Sequence, residues 1–191
     1  MIRMKRWLSG MIFCTVLLLS FSAHALEMNY GWSINADEQA AVREAVAAMK
    51  AKGLENPAFV LAFTTADYDH AVLTKELRAQ TGEAKVCGMT GYQSVFTPDG
   101  FHRGEKGAIA ILGFDMDDPV GVGIGELEVI NLAETAGVLA TEKTKEIARS
   151  ILLQAVENAG KTLEDQPTMI YLAIPTGVEE LCLEAVEEVF G

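Results

Sequence analysis

The sequence predicts an α/β fold built on a mixed, partly parallel sheet covered by helices on both faces. Short apolar runs such as Phe59-Val60-Leu61-Ala62-Phe63 have the length and content of buried strands. Between such runs lie stretches with apolar residues at helical spacing, and a helix that separates two strands demands a crossover, which makes the strands parallel. Two neighbouring apolar runs, 107–114 and 120–127, are joined instead by a short polar turn, which predicts an antiparallel pair.

The elements follow in order. Residues 36–52 place Ala40, Ala41, Val42, Ala45, Val46 and Met49 on one helical face, with Asn35 as the expected N-cap and Gly53 as the stop. After Pro57 comes the strand 59–63. A helix over 69–81 ends at Gly82, and 85–89 is a second short strand. Phe96-Thr97-Pro98-Asp99-Gly100 is a turn, because proline presets one dihedral and glycine accepts the other. The strand 107–114 is followed by a polar turn over 115–119. The run 120–127 alternates glycine with β-branched residues, which predicts a strand with one bare face that another segment or a ligand approaches closely. A long helix is expected over 133–159 with a break near Gly137, then a strand over 169–174, the turn Pro175-Thr176-Gly177, and a last helix over 178–190. That helix sets Leu181, Leu183, Val186, Val189 and Phe190 among glutamates, giving one dry and one wet face.

The first 25 residues have the grammar of an export signal. Arg3, Lys5 and Arg6 precede an apolar run from Met11 to Phe21, and Ala23-His24-Ala25 supplies small residues around a cleavage point. The run is short for a bilayer span, which takes about 20 residues. Cleavage after Ala25 is expected, with an uncleaved anchor as the rival; a cleaved chain is periplasmic or secreted and keeps no stable membrane anchor. Cleavage removes three cations and no acids, which moves the formal net charge from −12 to −15. So acidic a surface repels phosphate backbones, and nucleic acid is not an expected partner. Cys87 and Cys182 both lie in apolar patterns, so free thiols are expected, with a bridge as the alternative an oxidising compartment permits.

Several motifs are set aside on context. Residues 155–162 resemble a relaxed phosphate loop, but a true one follows a strand and opens a helix, whereas Gly160 here reads as a helix C-cap. Gly121-x-Gly123-x-Gly125 has the period of a strand. Ser94 and Ser150 lack a nucleophile-elbow context. His70 and His102 are the histidines of the mature chain; each reads as a surface residue, with metal or haem ligation as the alternative. A hydrolase using Cys87 would need a reactive thiolate. No catalytic set emerges, and the chain is not expected to be an enzyme.

The candidate site comes from topology, since ligands of open α/β sheets settle where loops leave the carboxyl ends of parallel strands. Three polar loops qualify: Thr64, Thr65, Asp67 and Tyr68 after the first strand; Thr90, Gly91, Tyr92 and Gln93 after the second; and Thr176 and Gly177 with Glu179 and Glu180 after the last. Together they offer donors for a carboxylate and acceptors for an amine, which suits a small polar metabolite. Ordinary turn and cap chemistry is the plainer alternative.

Many of these residues, read in order, resemble a known family. Pro57 through Thr65, Tyr68-Asp69, Leu77-Arg78, Val86 with Gly88 and Thr90, Phe96-Thr97 with Gly100, Gly107 with Ile109 and Ile111, Gly121 with Gly123, and Pro175 with Gly177, Glu179 and Glu180 are similar to the N-terminal half of FIST domains. The resemblance covers about residues 30–191. It implies an α/β sensory domain coupled to signalling outputs and proposed to bind small ligands such as amino acids. Some FIST-type proteins resemble haem-based gas sensors, which keeps His70 and His102 in view. In that family Val186 to Gly191 would lead into a C-terminal half, so the chain is expected to lack that half and to pass its signal to a separate protein. A truncated, non-functional copy stays open as an alternative.

Overall fold

The computed structural model describes residues 26–116, 120–125, 138–174 and 177–191, with backbone alone at 138–141. The expected export signal over 1–25, the start and break of the long helix at 133–137, and Pro175-Thr176 lie outside the described residues. The elements run β1 (Glu27–Ser33), α1 (Glu38–Ala51), β2 (Phe59–Thr65), α2 (His70–Thr81), β3 (Lys85–Gly91), β4 (Val95–Thr97), β5 (Gly100–His102), β6 (Ile109–Asp115), α3 (Val138–Asn158) and α4 (Glu179–Phe190).

Four strands form a sheet in the order β1-β6-β2-β3, and β4 pairs with β5 in a separate hairpin. β2 and β3 are parallel and joined through α2, while β6 runs antiparallel to both its neighbours. The sheet is therefore mixed, and the α/β class expected from the sequence is the one observed. β1 was not among the expected strands. Its residues Met28, Tyr30 and Trp32 alternate with Asn29, Gly31 and Ser33, the period of a strand.

Local chemistry explains the helix limits. Asp37 caps α1 by accepting the Ala40 N–H at 2.7 Å. Asn35, the expected cap, instead accepts the Asp37 N–H at 3.0 Å and shapes the turn before the helix. Asp69 caps α2 through the N–H groups of Ala71 and Val72, and Gly82 ends it with φ +63°. Gly160, at φ +67°, follows the end of α3, where the Lys161 N–H returns to the Val156 carbonyl. Residues 155–162 are thus a helix end, and no phosphate loop.

The core on one face joins Ala41, Val42, Ala45, Val46 and Met49 of α1 and Leu73 and Leu77 of α2 to Val60, Ala62, Ile109 and Ile111 of the sheet. Each fully buried Val, Leu, Ile or Met side chain of this kind contributes about 1.5–3 kcal/mol, and each alanine methyl less. α1 lies so close to β1 that a Cβ at Gly31 would fall on the Ala45 carbonyl.

The opposite face carries Phe59, Leu61 and Phe114, packed by Val120 and Val122. Residues 120–125 form no strand ladder with β6 or any other described segment, so the expected antiparallel pairing is corrected. The alternation itself has the predicted consequence. Val120 and Val122 turn to the sheet, and a Cβ at Gly121 or Gly123 would fall on the Ala155 or Ile151 carbonyl of α3. The bare face is where α3 sits, and α3 covers this side of the sheet across that segment.

The strand expected over 169–174 is also corrected, since these residues pair with no described strand. Leu172 and Ile174 are drawn instead into the cluster of Ala148, Leu152, Val178, Cys182 and Ala185 between α3 and α4. Their apolar surface is satisfied by helices, which leaves β3 as an edge, exposed from Gly88 to Gly91. No helix among the described residues is long and apolar enough to cross a membrane.

Candidate functional site

The carboxyl ends of the two parallel strands coincide, with Thr64 beside Thr90 and Thr65 beside Gly91. What the four residues do there differs. Thr65 is fully buried, and its hydroxyl accepts the Ala108 N–H at 3.0 Å. Thr64 is buried as well. Tyr68, expected to face a ligand, is buried and donates its hydroxyl to the Asn35 carbonyl at 2.5 Å. Burial, followed by the negative charges of Glu38 and Glu44, pushes that phenol up to about 12. Thr65 and Tyr68 therefore hold loops together.

A polar network closes this end of the sheet above β1 and β2. Glu38 accepts the Lys106 ammonium at 2.5 Å and the Asp69 N–H at 3.3 Å. The lysine hydrogen bond, then backbone N–H groups of Glu38 and Asp69, hold its carboxyl at about 2. Glu44 accepts the Ser33 hydroxyl at 2.5 Å and the Asn35 amide at 2.7 Å, and these two bonds keep it below the usual carboxylate range. Sequence reasoning did not single out Asn35, Glu38, Glu44 or Lys106 as a group. Glu38 and Lys106 are 68 positions apart, so only the tertiary fold brings them together.

Beside this closed region the second loop is open. Thr90, Gly91, Tyr92 and Gln93 are all exposed, Tyr92 to 82%, and Asp67 in the loop after β2 is exposed too. These residues present a hydroxyl, a carboxamide, an aromatic face and a carboxylate to solvent. Of the third loop, Thr176 lies outside the described residues. The Gly177 N–H, at φ +97°, donates to Glu179 at 2.7 Å, and Glu180 is exposed at the first turn of α4. α4 is tied to α3 by Lys145–Glu184 and Arg149–Glu188 ion pairs. The third loop is not delivered by a strand neighbouring β3, because 169–174 is not in the sheet.

A shallow groove of about 510 Å³ lies at the other end of the parallel pair, lined by Asn56, Pro57, Thr81, Glu83, Lys85 and Val120. Its lysine is already spent, donating to the Asn158 carbonyl at 2.7 Å and to the Val120 carbonyl. It thereby caps the C-terminus of α3.

The histidines occupy different settings. His102 is buried, stacked on Trp32 with ring centroids 3.6 Å apart, and its Nε2 lies 2.7 Å from the Thr97 hydroxyl. A haem iron at Nε2 would have to displace the Thr97 hydroxyl. His70 is exposed, with Nε2 3.3 Å from the Thr65 carbonyl. Among the described residues no three His, Cys, Asp or Glu side chains cluster to hold a metal. Cys87 and Cys182 are free thiols, and burial, then Glu179, pushes the Cys182 thiol up.

In comparison with known families, a model described as the FIST N domain matches residues 58–191, from the residue before β2 to the residue after α4. No curated protein matches the chain.

Proposed function

The chain belongs to the FIST N domain family, sensory domains implicated in signal transduction and small-ligand binding, and from that premise we propose that it is an exported receptor for an amino acid or a similar small polar metabolite. The ligand sits at the carboxyl end of β3, against Thr90, Gly91, Tyr92 and Gln93, with Asp67 facing an amine. Binding alone is the activity, without covalent chemistry, and the signal passes to a separate protein. The observation that carries this reading is the coincidence of the β2 and β3 ends beside a cluster of exposed polar groups. In open α/β sheets that is where loops gather around a ligand.

Glu179 and Glu180 are the remaining amine acceptors of this proposal, and Thr176 its remaining hydroxyl. Export follows from the N-terminal signal, with cleavage after Ala25 releasing a periplasmic or secreted chain; N-terminal sequencing of the protein recovered outside the cytoplasm should then begin at Leu26. The binding reading is tested by thermal unfolding across a panel of amino acids and organic acids. A ligand-dependent rise in the unfolding midpoint is expected, and a flat profile from well-folded protein overturns it.

A further inference from the structure

Three donors converge on one carboxylate away from the proposed ligand end. The Tyr30 hydroxyl donates to one oxygen of Asp99 at 2.8 Å, and the Trp32 indole N–H donates to the other at 2.9 Å. The Lys52 ammonium stands 3.9 Å from that second oxygen and 3.2 Å from the centroid of the Tyr30 ring. Tyr30 and Trp32 lie two residues apart on β1 and so share a face. Lys52 caps the end of α1. All three donors thus belong to the β1–α1 unit, whereas the carboxylate comes from the turn of the β4–β5 hairpin. That hairpin has three residues in each strand and pairs with no other described strand. A ribbon of that size is marginal alone; besides Asp99 it is held by Val95, buried against Ala108 and Ala110, and by His102 stacked on Trp32. Its outer face exposes Phe96 and Phe101, to 76% and 57%, and the Asp99 side chain is itself 48% exposed.

We propose that Tyr30, Trp32 and Lys52 form a binding site for a small carboxylate, which Asp99 fills as an internal occupant. A hydroxyl and an indole N–H, one to each oxygen, with a nearby cation, match what a carboxylate accepts. A tethered carboxylate acts at high effective concentration, so the closed hairpin outcompetes weak acids at low concentration. An external carboxylate and the closed hairpin exclude each other, and binding shifts the population toward the open hairpin. This site stands on its own geometry and does not depend on a ligand at Thr90–Gln93.

Acetate, the aspartate side chain cut back to its carboxylate and methyl group, is the probe. In Asp99→Ala protein, sodium acetate should move the Trp32 indole N–H resonance to saturation, while sodium chloride at the same ionic strength should not. Adding Tyr30→Phe should weaken that affinity at least about tenfold, the effect of one hydrogen bond to a charged group. In the unaltered protein, acetate should speed amide exchange of residues 95–102 several-fold relative to chloride. Folded Asp99→Ala protein without a saturable acetate response overturns the proposal, as does hairpin exchange that is the same in both salts. If Asp99→Ala fails to fold, Asp99→Ser suits the turn, removes the carboxylate with a shorter side chain and carries the same titration.

Discussion

The Thr65 hydroxyl accepts the backbone N–H of Ala108 at 3.0 Å, and both residues are completely buried. This bond joins the end of β2 to the segment entering β6. Replacing Thr65 with valine keeps the shape and removes the acceptor, leaving a buried N–H unpaired. The expected loss is about 1–3 kcal/mol, read from urea unfolding with the fold retained by circular dichroism.

Gly31 lies beneath the Ala45 carbonyl of α1, where backbone cannot yield as a flexible side chain would. Gly31→Ala must push α1 off β1, at a cost of about 1–3 kcal/mol or more. Gly82→Ala is the contrast. No atom lies within 4 Å of its Cβ position, so only the backbone conformation, φ +63° with ψ −120°, opposes it, at about 1–3 kcal/mol. Paired urea melts should rank Gly31→Ala as the more damaging.

Glu38 is held at about 2, below its ordinary value of 4.5. Its depressed value means its contribution to stability is full above pH 4.5 and is lost as pH falls toward 2. Glu38→Gln should be less stable than the unaltered protein near neutrality, and the difference should close across that window. Glu44 and Asp99 are lowered too, so the variant should still weaken in acid, with a shallower slope. Unfolding midpoints measured over a pH series check this.

Tyr68 shows the opposite sign. Its phenol is raised from 10 to about 12, so its contribution is full below pH 10 and is lost as pH climbs through about 12. Tyr68→Phe should lose about 1 kcal/mol at neutral pH through the bond to the Asn35 carbonyl. It should also lack part of the alkaline destabilisation. Chemical melts on both sides of pH 10 measure both effects.

Tyr92→Ala and Gln93→Ala touch exposed side chains and should leave stability within about 0.5 kcal/mol of the original. Each should reduce or abolish the ligand-dependent thermal shift. A variant that keeps the full shift removes its residue from the proposed site.

The parts of the fold legible in sequence were those where local chemistry and burial agree. Asp69, the helix after it and Gly82 state the limits of α2 without help from the rest of the chain. The apolar run at Phe59 could only be a buried strand. β1 was missed because an edge strand with Glu27 and Asn29 in it carries a weak hydrophobic signal. The run 169–174 is apolar throughout, which asks for burial but leaves open what covers it; a strand was expected, and Leu172 and Ile174 meet helices instead. The site was legible to the same degree. Sequence gave the polar loops at the strand ends, but whether Tyr68 or Thr65 is spent on backbone groups depends on Asn35 and Ala108, positions 33 and 43 residues away.

The glycine row of 121 and 123 leaves α3 resting on a smooth rail, with no side-chain knobs on that surface to resist movement along the helix axis. Its registration depends on polar pins: Lys85 on Asn158 and Val120, Asn158 on Val122, and Gln154 on the Ile124 N–H. These bonds mark its position along the axis on the sheet side, while the burial of Ala148 and Leu152 against α4 fixes it on the other.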